Sequence, residues 1–151
     1  MPVVVPAYHL GVVVTDLDRA SAELTELLGV RWLPTVRSGE QVTGDGPTGD
    51  GPMMTFSTQG PPYLELLELV PGTIWSTPGL HHVGYWAAGA RAESARMADA
   101  GFPLQASAVV LSGDTEPGVF YHRTTDGLLL ELIEMGWGGP ALAHYLGGAA
   151  G

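Results

Sequence analysis

Two six-residue stretches, Leu64–Leu69 (LELLEL) and Leu130–Met135 (LELIEM), nearly copy one another across this 151-residue chain. Each closes a segment that opens on a histidine two residues before a glycine: His9-Leu10-Gly11 in the first case, His82-Val83-Gly84 in the second. An internal repeat constrains architecture more than any single motif does, because each copy must fold as the same supersecondary unit and bury its apolar face against the other. The spacing supports the repeat. From His9 to Gly29 and from His82 to Gly101 the separation differs by one residue, and the longer interval from His9 to Glu65 than from His82 to Glu131 is accounted for by Ser38–Pro52.

The pattern within each copy predicts β-α-β-β-β. In the first, the β-branched run Val3–Val14 reads as a strand through His9. Thr15 or Asp16 offers an N-cap, and Leu17, Ala20, Leu24, Leu27 and Leu28 recur at helical spacing up to Gly29, a natural residue to follow a helix. Val30–Val36, Met53–Thr58 and Tyr63–Val70 follow as strands, with Ser38–Pro52 expected as a loop because it is dense in Gly and Pro. Pro71–Gly79 reads as a linker. The second copy then runs through a strand at His81–Ala87, a helix at Ala90–Ala100, extended chain at Phe102–Leu111, and strands at Val119–Thr124 and Leu128–Glu134. The expected fold is therefore α+β, one domain over residues 1–151 made of two tandem βαβββ modules. Module 1 spans about 7–70, the linker 71–79, module 2 about 80–135 and a Gly/Ala-rich tail 136–151, with a short helix expected at Pro140–Leu146.

Composition narrows the chemistry. The chain has no cysteine, so it can build neither a disulfide framework nor a thiolate metal site, and a metal would have to use His, Asp or Glu. Its formal charge is −10, with six basic residues in all, every one of them arginine. That argues against nucleic acid as a partner and more weakly against a heavily phosphorylated ligand such as a coenzyme A ester. No apolar run is long enough to span a bilayer, and MPVVVPAYHL lacks the basic start and cleavage site of a signal peptide. A cytoplasmic protein with no membrane partner is expected.

Strand alternation places Glu65 with Tyr63, Leu67 and Leu69 on one face and Glu68 on the other. Likewise Glu131 lies with Leu129 and Ile133, opposite Glu134. The pattern alone does not say which glutamate of each pair points inward. A carboxylate on a buried face needs a partner, and a cation is one. Paired positions in the repeat bring His9, Glu65, His82 and Glu131 into consideration as one metal site. Two nitrogen and two oxygen donors suit Zn²⁺, Ni²⁺, Co²⁺, Mn²⁺ or Fe²⁺. His81 competes with His82, and the match of His82-Val83-Gly84 to His9-Leu10-Gly11 selects His82. Met54, Phe56 and Trp86 are candidates for the wall of a substrate pocket. His122 and His144 are expected on the surface.

The segments AYHLGVVVTDLDRA, YLELLEL, GLHHVGYW and FYHRTTDGLLLELIE resemble the vicinal oxygen chelate superfamily, which includes glyoxalase I, methylmalonyl-CoA epimerase, extradiol dioxygenases and bleomycin-resistance proteins. The resemblance covers about residues 7–135 and is closest in character to the glyoxalase I-like and epimerase-like members. It implies two βαβββ modules curled into an open, barrel-like mixed sheet around a divalent metal, with His9, Glu65, His82 and Glu131 as ligands. It further implies an isomerase, epimerase or lyase acting on a small carbonyl compound through a metal-chelated enolate, with Glu131 moving the proton, and a homodimer. The epimerases resembled carry an acidic base on the third strand, where this chain has Met53-Met54-Thr55-Phe56. Tyr121 falls at the place of the extradiol enzymes' active-site tyrosine, although their upstream histidine has no counterpart among Gly113, Asp114 and Thr115. Two alternatives stand beside the enzyme: a metal-free protein that binds a hydrophobic compound, and an extradiol-type dioxygenase.

Overall fold

A computed structural model describes residues 8–38, 40–43, 46–109 and 117–134. The first module contains β1 (His9–Val14), α1 (Leu17–Leu28), β2 (Val36–Arg37), β3 (Glu40–Thr43), β4 (Gly46–Asp50), β5 (Met53–Phe56) and β6 (Tyr63–Glu68). The second contains β7 (Gly79–Ala87), α2 (Ala90–Asp99), β8 (Leu104–Ala108), β9 (Val119–Arg123) and β10 (Leu129–Glu134). All ten strands join one mixed sheet in the order β2-β5-β6-β1-β7-β10-β9-β8-β3-β4. The sheet curls into a half-barrel.

The order shows the repeat directly. In each module the first strand lies beside the last in parallel, β1 with β6 and β7 with β10, and the modules meet where β1 pairs antiparallel with β7. The inner face carries the main apolar core, including Met54, Phe56, Leu67, Trp75, Val119, Tyr121 and Ile133. The helices lie on the other face, where Phe120 and Leu132 meet Ala87, Ala90 and the half-buried Met97 of α2.

Helix α1 begins where Asp16 accepts a hydrogen bond from the Arg19 amide at 2.9 Å and ends at Gly29, whose φ of 71° is the left-handed conformation that glycine adopts without penalty. Its apolar residues recur at helical spacing without seating it deeply. Only Leu17 is buried, and Leu27 and Leu28 are 75% and 68% exposed. Helix α2 starts at Gly89 without a side-chain cap of its own.

Two expectations need correction. Val30–Val36 contributes only an isolated bridge from Trp32 to Ser57 and the short β2, so most of it is not strand. Ser38–Pro52, expected as a loop, forms the β3–β4 hairpin, and β3 pairs antiparallel with β8 of the other module. Edge-strand hydrogen bonding supplied by β8 offsets the low strand propensity of this Gly- and Pro-bearing stretch. The helix expected at Pro140–Leu146 lies outside the described residues. No helix among the described residues is long and apolar enough to cross a membrane.

Candidate metal centre

The central strand pair carries both histidines on its inner face. In the β1–β7 register His9 lies opposite Gly84, and Gly11 lies opposite His82. The flanking parallel strands set Glu65 beside Gly11 and Glu131 beside Gly84. Two rows therefore cross the modules, Glu65–Gly11–His82 and His9–Gly84–Glu131. Each glycine makes room for the histidine of the other module, since a Cβ on Gly11 would fall within the His82 ring and one on Gly84 within the His9 ring. The histidine-x-glycine motif of each copy is thus half of a reciprocal fit.

All four side chains are buried, His9 and His82 completely. Their donor atoms gather within 4.8 Å of one another. His9 Nε2 lies 2.9 Å from His82 Nε2, 3.0 Å from Glu65 Oε2 and 3.1 Å from Glu131 Oε1. His82 Nε2 lies 3.0 Å from Glu65 Oε2 and 3.2 Å from Glu131 Oε2. Burial alone favours neutral imidazole, but the carboxylates of Glu131 and Glu65 outweigh it, and the His9 pKa rises to about 10. Burial likewise opposes the carboxylate of Glu65, yet His9 and His82 pull its pKa down to about 2. Glu131 is also lowered, by His82 and His9 against the effect of burial. The cluster therefore favours a positive charge at its centre, from a proton or from a metal ion. The donors fit a metal: atoms about 3 Å apart are what neighbouring ligands at about 2.0–2.2 Å from one ion would give, and two imidazoles with two carboxylates are donors that Zn²⁺ and its neighbours accept.

The cluster borders an apolar cavity lined by Tyr8, Met54, Phe56, Trp75, Val119 and Ile133 among others. Of the four clustered residues, Glu65 and Glu131 border this cavity. Tyr121 borders it too, across the β9–β10 pairing from Glu131. Burial, together with the Glu131 and Glu65 charges and a hydrogen bond to Glu131, keeps the Tyr121 phenol protonated well above its usual range. Met54 and Phe56 line this cavity. Trp86 does not; its ring packs on Tyr8 at a centroid distance of 4.7 Å.

Two features escaped the sequence reading. Glu68 and Glu134, on the faces opposite Glu65 and Glu131, reach the helix starts. Glu68 accepts from the Leu17 amide at 3.2 Å, and Glu134 accepts from the Gly89 amide at 2.9 Å and from that of Ala90. The equal spacing of the two glutamates in each copy was the available signal. His122, expected on the surface, is buried between Ser94 Oγ (2.8 Å) and the Phe102 carbonyl (2.7 Å), tying α2 to β9. His144 lies outside the described residues.

Residues 8–117 match the model of the Glyoxalase/Bleomycin resistance protein/Dioxygenase superfamily. The chain belongs to this superfamily. Solved structures agree on the fold. A variant of Streptomyces coelicolor methylmalonyl-CoA epimerase in complex with 2-nitronate-propionyl-CoA is 19% identical with a TM-score of 0.59, covering 85% of this chain and 95% of its own. Methylmalonyl-CoA epimerase from Mycobacterium tuberculosis is 20% identical with a TM-score of 0.59, covering 95% of both chains. A hypothetical protein from Bacillus halodurans has the same TM-score at 18% identity, covering 85% of this chain and 93% of its own. Among curated proteins, none matches the chain in sequence. The family match ends before β9 and β10, so Glu131 is placed by the repeat and by the sheet.

Proposed function

We propose that this superfamily member is a divalent-metal-dependent isomerase or epimerase, or a lyase of the glyoxalase-like type, that moves a proton at the carbon beside a carbonyl group. The observation that carries the proposal is the convergence of His9, Glu65, His82 and Glu131 beside an apolar cavity. A dication held there supplies Lewis acidity, which acidifies a C–H next to a carbonyl. Glu131 is the base. It borders the cavity, its carboxyl is held ionised, and β5 brings Met54 and Phe56 to the wall where an acid would otherwise stand. The Tyr121 hydroxyl holds its proton beside Glu131, where it orients that carboxylate and can donate to a substrate oxygen. The apolar walls exclude water.

The substrate proposed is small, neutral and largely hydrophobic. Although structural relatives are solved with coenzyme A esters, the described lining here contains no arginine, and the carboxylates of Glu65 and Glu131 would repel an anion. Four protein donors also leave less room than the three-ligand site of a dioxygenase. The deciding experiment is exchange of α-protons into D₂O across small ketones and aldehydes, with and without added Zn²⁺, Ni²⁺, Co²⁺, Mn²⁺ or Fe²⁺. Metal-dependent exchange that falls at least about 100-fold in Glu131→Gln is expected. Metal content below about a tenth of an equivalent after loading would overturn the proposal. The same apolar wall also suits a metal-free protein that sequesters a hydrophobic compound; binding indifferent to chelator and to Glu131→Gln would favour that reading. Substrate-dependent O₂ uptake would favour an oxygenase. A homodimer belongs to the proposal, with the exposed Leu27 and Leu28 as apolar surface to bury, and sedimentation tests it.

A further inference from the structure

His81 and His82 are consecutive on β7 and should point to opposite faces, yet their Nδ1 atoms lie 2.9 Å apart. The cause is a bulge. Gly11 pairs with His82 and Val12 with Leu80, so His81 has no partner across the β1–β7 ladder and the alternation breaks there. The His81 ring is half-buried between the stacked ring of Trp75, at 6.1 Å, and Tyr121, at 6.3 Å.

Hydrogen-bond direction along this chain is determined from its far end. His81 Nε2 lies 2.7 Å from the Ile74 carbonyl, which can only accept, so Nε2 carries the proton. In a neutral His81 ring Nδ1 is then a lone pair, and it accepts from His82 Nδ1–H. His82 Nε2 is thus the nitrogen directed into the cluster, where it meets the Glu65 carboxylate at 3.0 Å and His9 Nε2 at 2.9 Å and where its lone pair would face a metal ion that takes the place of the shared proton. Among its described residues the first module shows nothing equivalent. The position paired with His81 is Tyr8, which meets the His9 ring edge-on at 4.9 Å, and His9 Nδ1 has no hydrogen-bond partner among the described residues.

We propose that His81 is a positioning residue, which the β7 bulge turns inward to fix the tautomer of His82 so that Nε2 is the atom offered to a metal ion. The proposal rests on the metal-centre reading above. Outer partners of this kind are worth about 10–100-fold in metal affinity.

The test compares Zn²⁺ affinity, by competition with a chromophoric chelator, in the full chain and in His81→Phe, His81→Gln and His82→Ala, each checked for folding by circular dichroism. His81→Phe is expected to lose about 10–100-fold, while His81→Gln stays near the wild type because its amide can donate to Ile74 and accept from His82. Nitrogen-15 NMR of the zinc-loaded wild type should show His82 protonated at Nδ1 with metal on Nε2. Wild-type affinity in His81→Phe alongside loss in His82→Ala would overturn the role of His81 and leave the metal centre standing. Unchanged affinity in His82→Ala would overturn the metal centre itself. Should His81→Phe fail to fold, the NMR result decides: His82 bound through Nδ1 overturns the proposal.

Discussion

Gly11 and Gly84 matter for the space they leave rather than for their backbone angles. Each admits a histidine ring from the neighbouring strand of the opposite module, so adding a methyl group displaces a metal-ligand candidate directly. Gly84→Ala should cost about 1–3 kcal/mol in urea unfolding, as overpacking typically does, and should weaken metal binding as well. The cluster also sets a pH signature. The folded-state pKa of His9 is raised from 6.5 to about 10, so its contribution to stability is complete below pH 6.5 and is lost as pH rises toward 10. That of Glu65 is lowered from 4.5 to about 2, so its contribution is present above pH 4.5 and lost as pH falls toward 2. On these two groups, metal-free protein should be most stable between pH 4.5 and 6.5, as thermal melts across pH would show. Metal must displace the His9 proton, so affinity should rise with pH up to about 10, and calorimetry in buffers of different ionisation enthalpy should detect about one proton released.

At the scale of single elements, the repeated strands β6 and β10 perform two tasks, one on each face. Alternation sends Glu65 and Glu131 inward to the cluster and sends Glu68 and Glu134 outward to the first amides of α1 and α2. A carboxylate there satisfies amides that the helix leaves unpaired and meets the positive end of its dipole. Glu134→Ala should therefore destabilise the fold by about 1 kcal/mol and leave metal affinity unchanged. Glu131→Ala should abolish metal binding. Chelator-competition assays and urea titrations on the same two proteins separate these outcomes. The positions of β1, β6, β7, β9 and β10, the alternation of side chains along them and the ends of both helices were legible because they follow from local period and from turn residues such as Gly29. What the outward glutamates touch was not, because a helix start and a strand end distant in sequence meet only after the sheet forms. The β7 bulge was hidden for the same reason: a bulge belongs to a pairing, and neither strand carries it alone.

For the whole molecule, the candidate metal centre joins the modules, since each contributes one histidine and one glutamate to the cluster. Binding should accordingly stabilise the entire sheet as one unit. At a free metal concentration of about 100 times Kd the gain is about 2.7 kcal/mol, which corresponds to a rise of a few degrees in melting temperature that excess chelator reverses. The β3–β4 hairpin adds a second link, leaving the first module to pair with β8 at the far edge of the second. Ser38 and Pro52 at its base are buried, joined by hydrogen bonds, and border the cavity. The sequence by itself determined the two-fold plan, the alternation of side chains along the strands and the four residues that could meet at a metal, because a repeat must fold twice in the same way and side-chain periods are local. Only the tertiary structure decided how the copies differ and interlock: which glycine receives which ring, that His81 turns inward beside His82, and that the Gly- and Pro-bearing segment crosses to the other module. Each of these depends on register between strands far apart in the chain, and register is settled by packing.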